Sequence, residues 1–212
     1  MSLEKYIDHT NLKPTASETD IKKLCEEAKI HGFYAICVNG CNVPLAKESL
    51  DKTNIKIAAV ISFPLGAMST KAKIFEAIDC IENGADEIDM VINIGWLKSE
   101  MYDAVQDEIK AIKEAIGNNI LKVIIETCYL TDKEKEKACM LALEAHADYV
   151  KTSTGFGTGG ATFDDVKLMK KAVGNNAKIK ASGGVKDKDT AIQYIELGVS
   201  RIGTSSGPSL IK

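Results

Sequence analysis

The six cysteines, Cys25, Cys37, Cys41, Cys80, Cys128 and Cys139, include no C-x-x-C pair. The three histidines, His9, His31 and His146, show neither H-x-H nor H-E-x-x-H spacing. Those absences argue against a zinc site and against a disulfide framework, so reduced thiols packed as small apolar groups are expected. A net charge of −3 over 212 residues lacks the basic footprint of a nucleic-acid binder. The most apolar stretch, Ile55 to Leu65, is interrupted by Lys56 and Ser62 and is too short to span a bilayer. Met1 to Lys5 lack a basic-then-apolar leader pattern. A soluble cytoplasmic protein without nucleic-acid or membrane partners is therefore expected. Only four prolines and 16 glycines occur, while apolar residues make up 45% and charged residues 27%, an ordinary globular balance.

Short β-branched runs alternate with longer amphipathic segments. Strands are expected at 34–39, 56–63, 87–93, 121–127, 148–152, 178–182 and 201–204, with a weaker one at 6–10. Helices are expected from Glu18 to Ile30, from Ser69 to before Gly84, from Ser99 to before Gly117, after Thr131, from Thr162 and from Asp187. Ser17 and the capping box Thr131-x-x-Glu134 supply start signals, and Gly32 supplies a stop. Eight strands alternating with helices imply a parallel sheet in one domain over 1–212, with a short final helix or stub. A doubly wound open sheet and a closed (β/α)₈ barrel both fit this string.

Three expected strands carry ionisable residues near their ends: Asp89, Lys151 and Lys180. In a parallel barrel, strand C-termini hold the active site. A desolvated lysine beside a second cation loses its proton more readily and becomes a nucleophile toward carbonyls. Two lysines and an aspartate could thus form and resolve a Schiff base; equally, the lysines could point into solvent and Asp89 could cap a loop. The glycine-rich segments Thr154–Gly160, Ser182–Gly184 and Gly203–Gly207 read either as a phosphate cradle or as tight turns. Asp8 and His9 could line the cavity or bond to backbone, and the run Lys133–Lys137 reads as a solvated helix face.

The segments Ile7–Pro14, Cys37–Asn39, Val60–Gly66, Ala85–Val91, Val123–Thr127, Val150–Gly155, Lys180–Val185 and Gly203–Ser206 together resemble the deoxyribose-phosphate aldolases, class I enzymes with a (β/α)₈ barrel. The resemblance implies reversible cleavage of 2-deoxy-D-ribose 5-phosphate to D-glyceraldehyde 3-phosphate and acetaldehyde. It implies Lys151 as the Schiff-base lysine, Lys180 as its tuning neighbour and Asp89 as the acid–base aspartate. It places Asp8 and Thr10 along the pocket, and the phosphate against Gly155, Gly183, Gly184, Gly203, Ser205 and Ser206. No metal or other cofactor is implied, because an iminium replaces the Lewis acid. A homodimer is suggested by the family alone. Lys186 stands where many relatives have Arg, which exchanges a planar fork for a point charge. Ending at Lys212, the chain is expected to lack the tyrosine-bearing tail of some longer relatives. A different phosphate-using barrel enzyme and a non-catalytic sugar-phosphate binder are the rival readings.

Overall fold

The computed structural model describes residues 2–211. Eight parallel strands close in chain order into one barrel: β1 (Ile7–Asn11), β2 (Ala35–Asn39), β3 (Lys56–Ile61), β4 (Glu87–Val91), β5 (Ile120–Ile124), β6 (Tyr149–Lys151), β7 (Lys178–Ser182) and β8 (Arg201–Thr204). β8 pairs with β1, setting Gly203 beside Asp8, and this closure excludes the open sheet. The surrounding helices are α1 (Glu18–His31), α2 (Val43–Ser49), α3 (Thr70–Glu82), α4 (Ile94–Lys98), α5 (Tyr102–Ile116), α6 (Asp132–Glu144), α7 (Phe163–Val173), α8 (Lys188–Glu196) and α9 (Gly207–Leu210). The last is the expected stub.

Local chemistry sets these boundaries. Capping boxes start α1 at Ser17 and α6 at Thr131. Ser69, Thr162 and Asp187 accept the N3 amides of α3, α7 and α8. Gly32 closes α1 in the left-handed region at φ 67°. One start differs from expectation. Ser99 ends the short helix α4, which Asn93 caps through Trp96 N–H, and α5 begins at Tyr102. The apolar continuity from β4 into α4 hides this break, so the sequence pattern runs strand into loop.

Alternation along each strand separates two interiors. Ile36, Val38, Ile88, Met90, Leu121, Val123, Val150 and Ile202 face the helices and form the main apolar core. A small second cluster, Leu12, Cys37, Ala58 and Val60, occupies the β1–β3 side of the lumen, with Phe63 packed on it. The other side of the lumen is ionic, as described below. Among the described residues, no helix is long and apolar enough to cross a membrane.

Two expectations about individual side chains are corrected. Cys25, Cys37, Cys80 and Cys139 are buried, but Cys41 is exposed and Cys128 only half-buried. The lysine run on α6 is not uniformly solvated. Lys135 reaches across to Asp165 at 2.7 Å, and the Lys137 ammonium lies 4.8 Å from the centre of the Tyr102 ring.

Candidate active site

At the C-terminal end of the strands, Lys151 from β6 and Lys180 from β7 lie side by side, paired in register. Both turn into the lumen and both are buried. Asp89 from β4 joins them: its Oδ2 lies 2.8 Å from Lys151 Nζ and 2.8 Å from Lys180 Nζ. Asp8 from β1 is 2.5 Å from Lys180 Nζ. The strand ends therefore bring all four of these expected residues into one cluster.

The cluster is larger than the sequence suggested. Lys122 on β5 contacts Asp89 Oδ1 at 2.6 Å and Glu87 Oε2 at 2.6 Å. Arg201 on β8 donates to Asp8 Oδ1 through Nε at 2.6 Å and to both oxygens of Glu87 at 3.2 and 2.9 Å. Its guanidinium carbon lies 3.8 Å from the centre of the Tyr34 ring. Charges alternate around a closed circuit, Asp89–Lys180–Asp8–Arg201–Glu87–Lys122, with Lys151 attached at Asp89. A signal for these missed members was available. Arg201 is the chain's one arginine and sits within a strand; Lys122 interrupts an otherwise apolar run, Ile120–Ile125.

This circuit separates the two catalytic candidates electrostatically. Burial pushes the Lys151 amine down; Asp89 opposes this, and Lys180 adds to it, so its pKa falls below the ordinary lysine value. For Lys180 burial acts the same way, but Asp8 and Asp89 together outweigh it and raise the pKa. Lys122 is likewise raised, by Asp89 and Glu87 against burial. Burial would raise Asp89, yet Lys122, Lys151 and Lys180 hold it well below the carboxylate range. Four cations face three carboxylates. The set balances when one lysine is neutral, and Lys151 is the lysine so favoured.

Above this floor opens a cavity of about 230 Å³, with Lys151, Thr10 and Ser182 in its wall. Gly155, Gly183, Gly184, Gly203, Ser205 and Lys186 also line it. Gly183 and Gly184 have φ of 84° and 83°, a left-handed backbone that glycine adopts without strain. A Cβ on Gly183 would come within 2.9 Å of Gly160 Cα, so the two glycine loops touch. Asp8, Asp89 and Lys180 lie beneath the cavity, outside its lining. Ser206 also lies outside it, its N–H bonded to Thr204 Oγ1 at 3.0 Å. His9 faces away from the lumen and contacts Glu27 at 2.7 Å.

Sequence reasoning also missed Lys13 and Phe156 in the lining, and Glu126 behind it. Glu126 is buried at φ 55° and accepts hydrogen bonds from the N–H and hydroxyl of Thr154. Thr154 Oγ1 in turn accepts from Phe156 N–H at 3.0 Å. The β6 loop is thus tied to β5 at the cavity's edge.

The DeoC/LacD family aldolase profile matches residues 3–206. The chain is 54% identical over 212 residues to the deoxyribose-phosphate aldolase of Finegoldia magna, covering all of both proteins. It is 56% identical over 216 residues to that of Thermococcus gammatolerans, covering all of this chain and 96% of the relative. Among solved structures, the aldolase QR15 superposes with a TM-score of 0.95 at 44% identity, covering 98% of this chain and 93% of that one. With its barrel, its lysine pair and these full-length likenesses, the chain belongs to the DeoC/LacD aldolase family.

Proposed function

We propose that this chain, acting as one catalytic barrel, reversibly cleaves 2-deoxy-D-ribose 5-phosphate to D-glyceraldehyde 3-phosphate and acetaldehyde through a Schiff base on Lys151. The carrying observation is the position of Lys151. It is the member of the ionic circuit that reaches the cavity, and of the circuit's lysines it is the one whose amine is pushed toward the neutral form. The named relatives are deoxyribose-phosphate aldolases, which supports the choice of substrate.

The chemistry follows from the charge balance. The neutral Lys151 amine adds to the C1 aldehyde of the open-chain sugar, and loss of water leaves a protonated imine. That iminium returns the excess positive charge which burial and Lys180 disfavour. The strain is relieved when the electrons of the C2–C3 bond flow into the imine and form a neutral enamine, while C3 becomes the aldehyde carbon of the departing glyceraldehyde 3-phosphate. The field that prepares the nucleophile therefore favours the cleavage transition state over the iminium ground state.

Asp89, through water and with Lys180 as its paired ammonium, takes the proton from the C3 hydroxyl. Because Asp89 is so weak a base beside three lysines, it keeps this proton only briefly. The proton passes to the enamine carbon after glyceraldehyde 3-phosphate departs. Water then hydrolyses the resulting imine to acetaldehyde and free Lys151.

Asp8 holds Lys180, and Thr10 borders the reacting carbons. The turns at Gly155, Gly183, Gly184 and Gly203, with Ser205 and Lys186, receive the phosphate, and Ser206 stands behind them. This route uses no metal or organic cofactor. Six unpaired cysteines accord with a reducing cytoplasm as the working compartment.

Borohydride trapping tests the proposal. Incubation with acetaldehyde and reductant should leave a stable two-carbon adduct on Lys151, located by peptide mass mapping and absent in Lys151→Ala. A wild-type enzyme that turns over substrate yet traps no adduct would overturn the Schiff-base route.

A further inference from the structure

Three successive strand ends, those of β6, β7 and β8, carry loops that line the cavity with glycine and serine. Glycines bring no side chains with which to hold a loop's shape, so other groups must fix the distance from one loop to the next. Between β6 and β7 two hydroxyls make that link. Thr152 Oγ1 accepts from Ser182 N–H and donates to Ser182 O, both at 3.1 Å, and Ser182 Oγ donates to Ser153 O at 2.6 Å. Between β7 and β8 the strand register ends where Ser182 stands beside Gly203. A Cβ on Gly203 would come within 3.0 Å of Ser182 Cβ and 3.2 Å of Lys180 Cε, so little room remains there for a side chain. Thr204 is the first residue of β8 past that contact that carries one.

The Thr204 hydroxyl has two partners, one on each side. It donates to Val185 O at 2.8 Å and accepts from Ser206 N–H at 3.0 Å. Val185 directly follows Gly183 and Gly184, and its side chain is buried in the main apolar core. Ser206 follows Ser205, which is exposed and lines the cavity. The bond to Ser206 closes a tight turn around Ser205, and the bond to Val185 fastens that turn to the anchored end of the Gly183–Gly184 turn. Thr204 is itself buried. With its one hydroxyl proton committed to Val185, it has none to give a ligand. Its hydroxyl therefore acts on the spacing of the two loops and not on a bound molecule.

We propose that Thr204 is a positioning residue for phosphate recognition: its hydroxyl sets the distance between the β7 and β8 turns, so that Gly183, Gly184 and Ser205 engage one phosphate together. The inference rests on the phosphate end of the cavity assigned above. An anion held from two loops gains most when the loops already stand at the right separation, because loops free to move would lose entropy on binding. An unphosphorylated sugar makes no use of that spacing. Valine at this position keeps the branched shape but loses both hydrogen bonds, whereas serine keeps the hydroxyl and loses a methyl group.

Steady-state kinetics of the full chain on 2-deoxyribose 5-phosphate and on unphosphorylated 2-deoxyribose test it. Thr204→Val should raise KM for the phosphorylated sugar by about tenfold, the size of one lost hydrogen bond, with kcat within about twofold of wild type. On the unphosphorylated sugar kcat/KM should change by less than about threefold. Thr204→Ser should bring KM for the phosphorylated sugar back to within about threefold of wild type, since the hydroxyl is restored. Thr204→Ala, which removes the same two bonds, makes the same comparison if the valine variant does not fold. Equal losses on both sugars overturn the positioning role. So does an unchanged KM in Thr204→Val, or a serine variant no better than valine. The underlying phosphate reading fails in a different way. A wild type that favours neither sugar removes the cradle and this inference with it, whereas a wild type that favours the phosphorylated sugar, matched by Thr204→Val, removes this inference alone.

Discussion

Lys151 and Lys180 share a single oxygen: each ammonium nitrogen lies 2.8 Å from Oδ2 of Asp89. Two side chains of the same type, paired in register on neighbouring strands, nonetheless titrate in opposite directions. The difference lies in a second carboxylate. Lys180 has Asp8 at 2.5 Å, and Lys151 has no such partner among the ion pairs of the described residues. The environment thus divides one chemical group into a nucleophile and a fixed cation, the usual way in which a site assigns acid and base roles.

If the charge count sets the Lys151 pKa, two substitutions away from the cavity should move it in opposite directions. Lys122→Met removes a cation, leaving three carboxylates that balance three cations only when Lys151 is protonated. Its pKa should rise, moving the acid limb of kcat/KM to higher pH. Turnover near neutrality should fall by about 10- to 100-fold and recover as pH is raised. Glu87→Gln removes an anion, so the Lys151 pKa should fall further and the acid limb should move to lower pH. Rate profiles between about pH 5 and 10 decide the matter. Limbs that move the same way would contradict the balance argument.

The phosphate end of the cavity makes a separate claim. Lys186 is exposed and lines the same cavity as Lys151. Lys186→Ala should raise KM for the phosphorylated substrate by about tenfold, the size of one charge-assisted hydrogen bond, with kcat little changed. Unphosphorylated 2-deoxyribose should show no such penalty. Lys186→Arg should lower KM a few-fold, because a planar fork can grip two phosphate oxygens. Equal losses on both sugars for Lys186→Ala would remove this residue from the phosphate site.

Glu126 acts through the loop it restrains. Its carboxylate receives both the N–H and the hydroxyl of Thr154, and Gly155 and Phe156 follow directly in the cavity wall. Phe156 packs edge-on against Phe63 with ring centres 5.3 Å apart. Glu126→Gln keeps the shape but exchanges one acceptor oxygen for a donor facing a donor. We expect KM to rise by about 10-fold while the borohydride-trapped adduct at Lys151 forms at near the wild-type rate. A loss confined to trapping would instead make Glu126 part of the chemistry.

The eight strands were legible because each is a short β-branched run punctuated by glycine or polar residues. Lys151 and Lys180 stood out because they close such runs immediately before glycine-rich loops. Lys122, Arg201 and Glu87 were harder to read for a physical reason. They are fully buried in the lumen, where a long charged side chain is tolerated only if its counter-charge arrives from another strand. Arg201 meets Glu87 across 114 residues, and no local pattern encodes that pairing. Ser99 misled for the opposite reason. It is a good helix starter by type, but Asn93 had already begun a helix that Ser99 ends.

Asp8 ties the site to the stability of the barrel. Burial would raise its carboxyl pKa, but Lys180, Arg201 and Lys122 outweigh burial and bring it from 3.8 to about 2. A carboxylate whose folded pKa is depressed stabilises the fold fully above its unfolded pKa and loses that contribution as pH falls toward the folded value. The window is therefore between about pH 4 and pH 2, and the contribution at neutrality is on the order of 2 kcal/mol. Asp8→Asn should lower stability near pH 7 by about 3–5 kcal/mol, since Arg201 and Lys180 are left buried with one carboxylate fewer. It should also flatten the fall in stability between about pH 4 and pH 2, because the titrating group is gone. Urea midpoints measured across that range for both proteins make the comparison. A variant as stable as wild type at neutral pH, with an equally steep acid loss, would show that Asp8 carries none of this linkage.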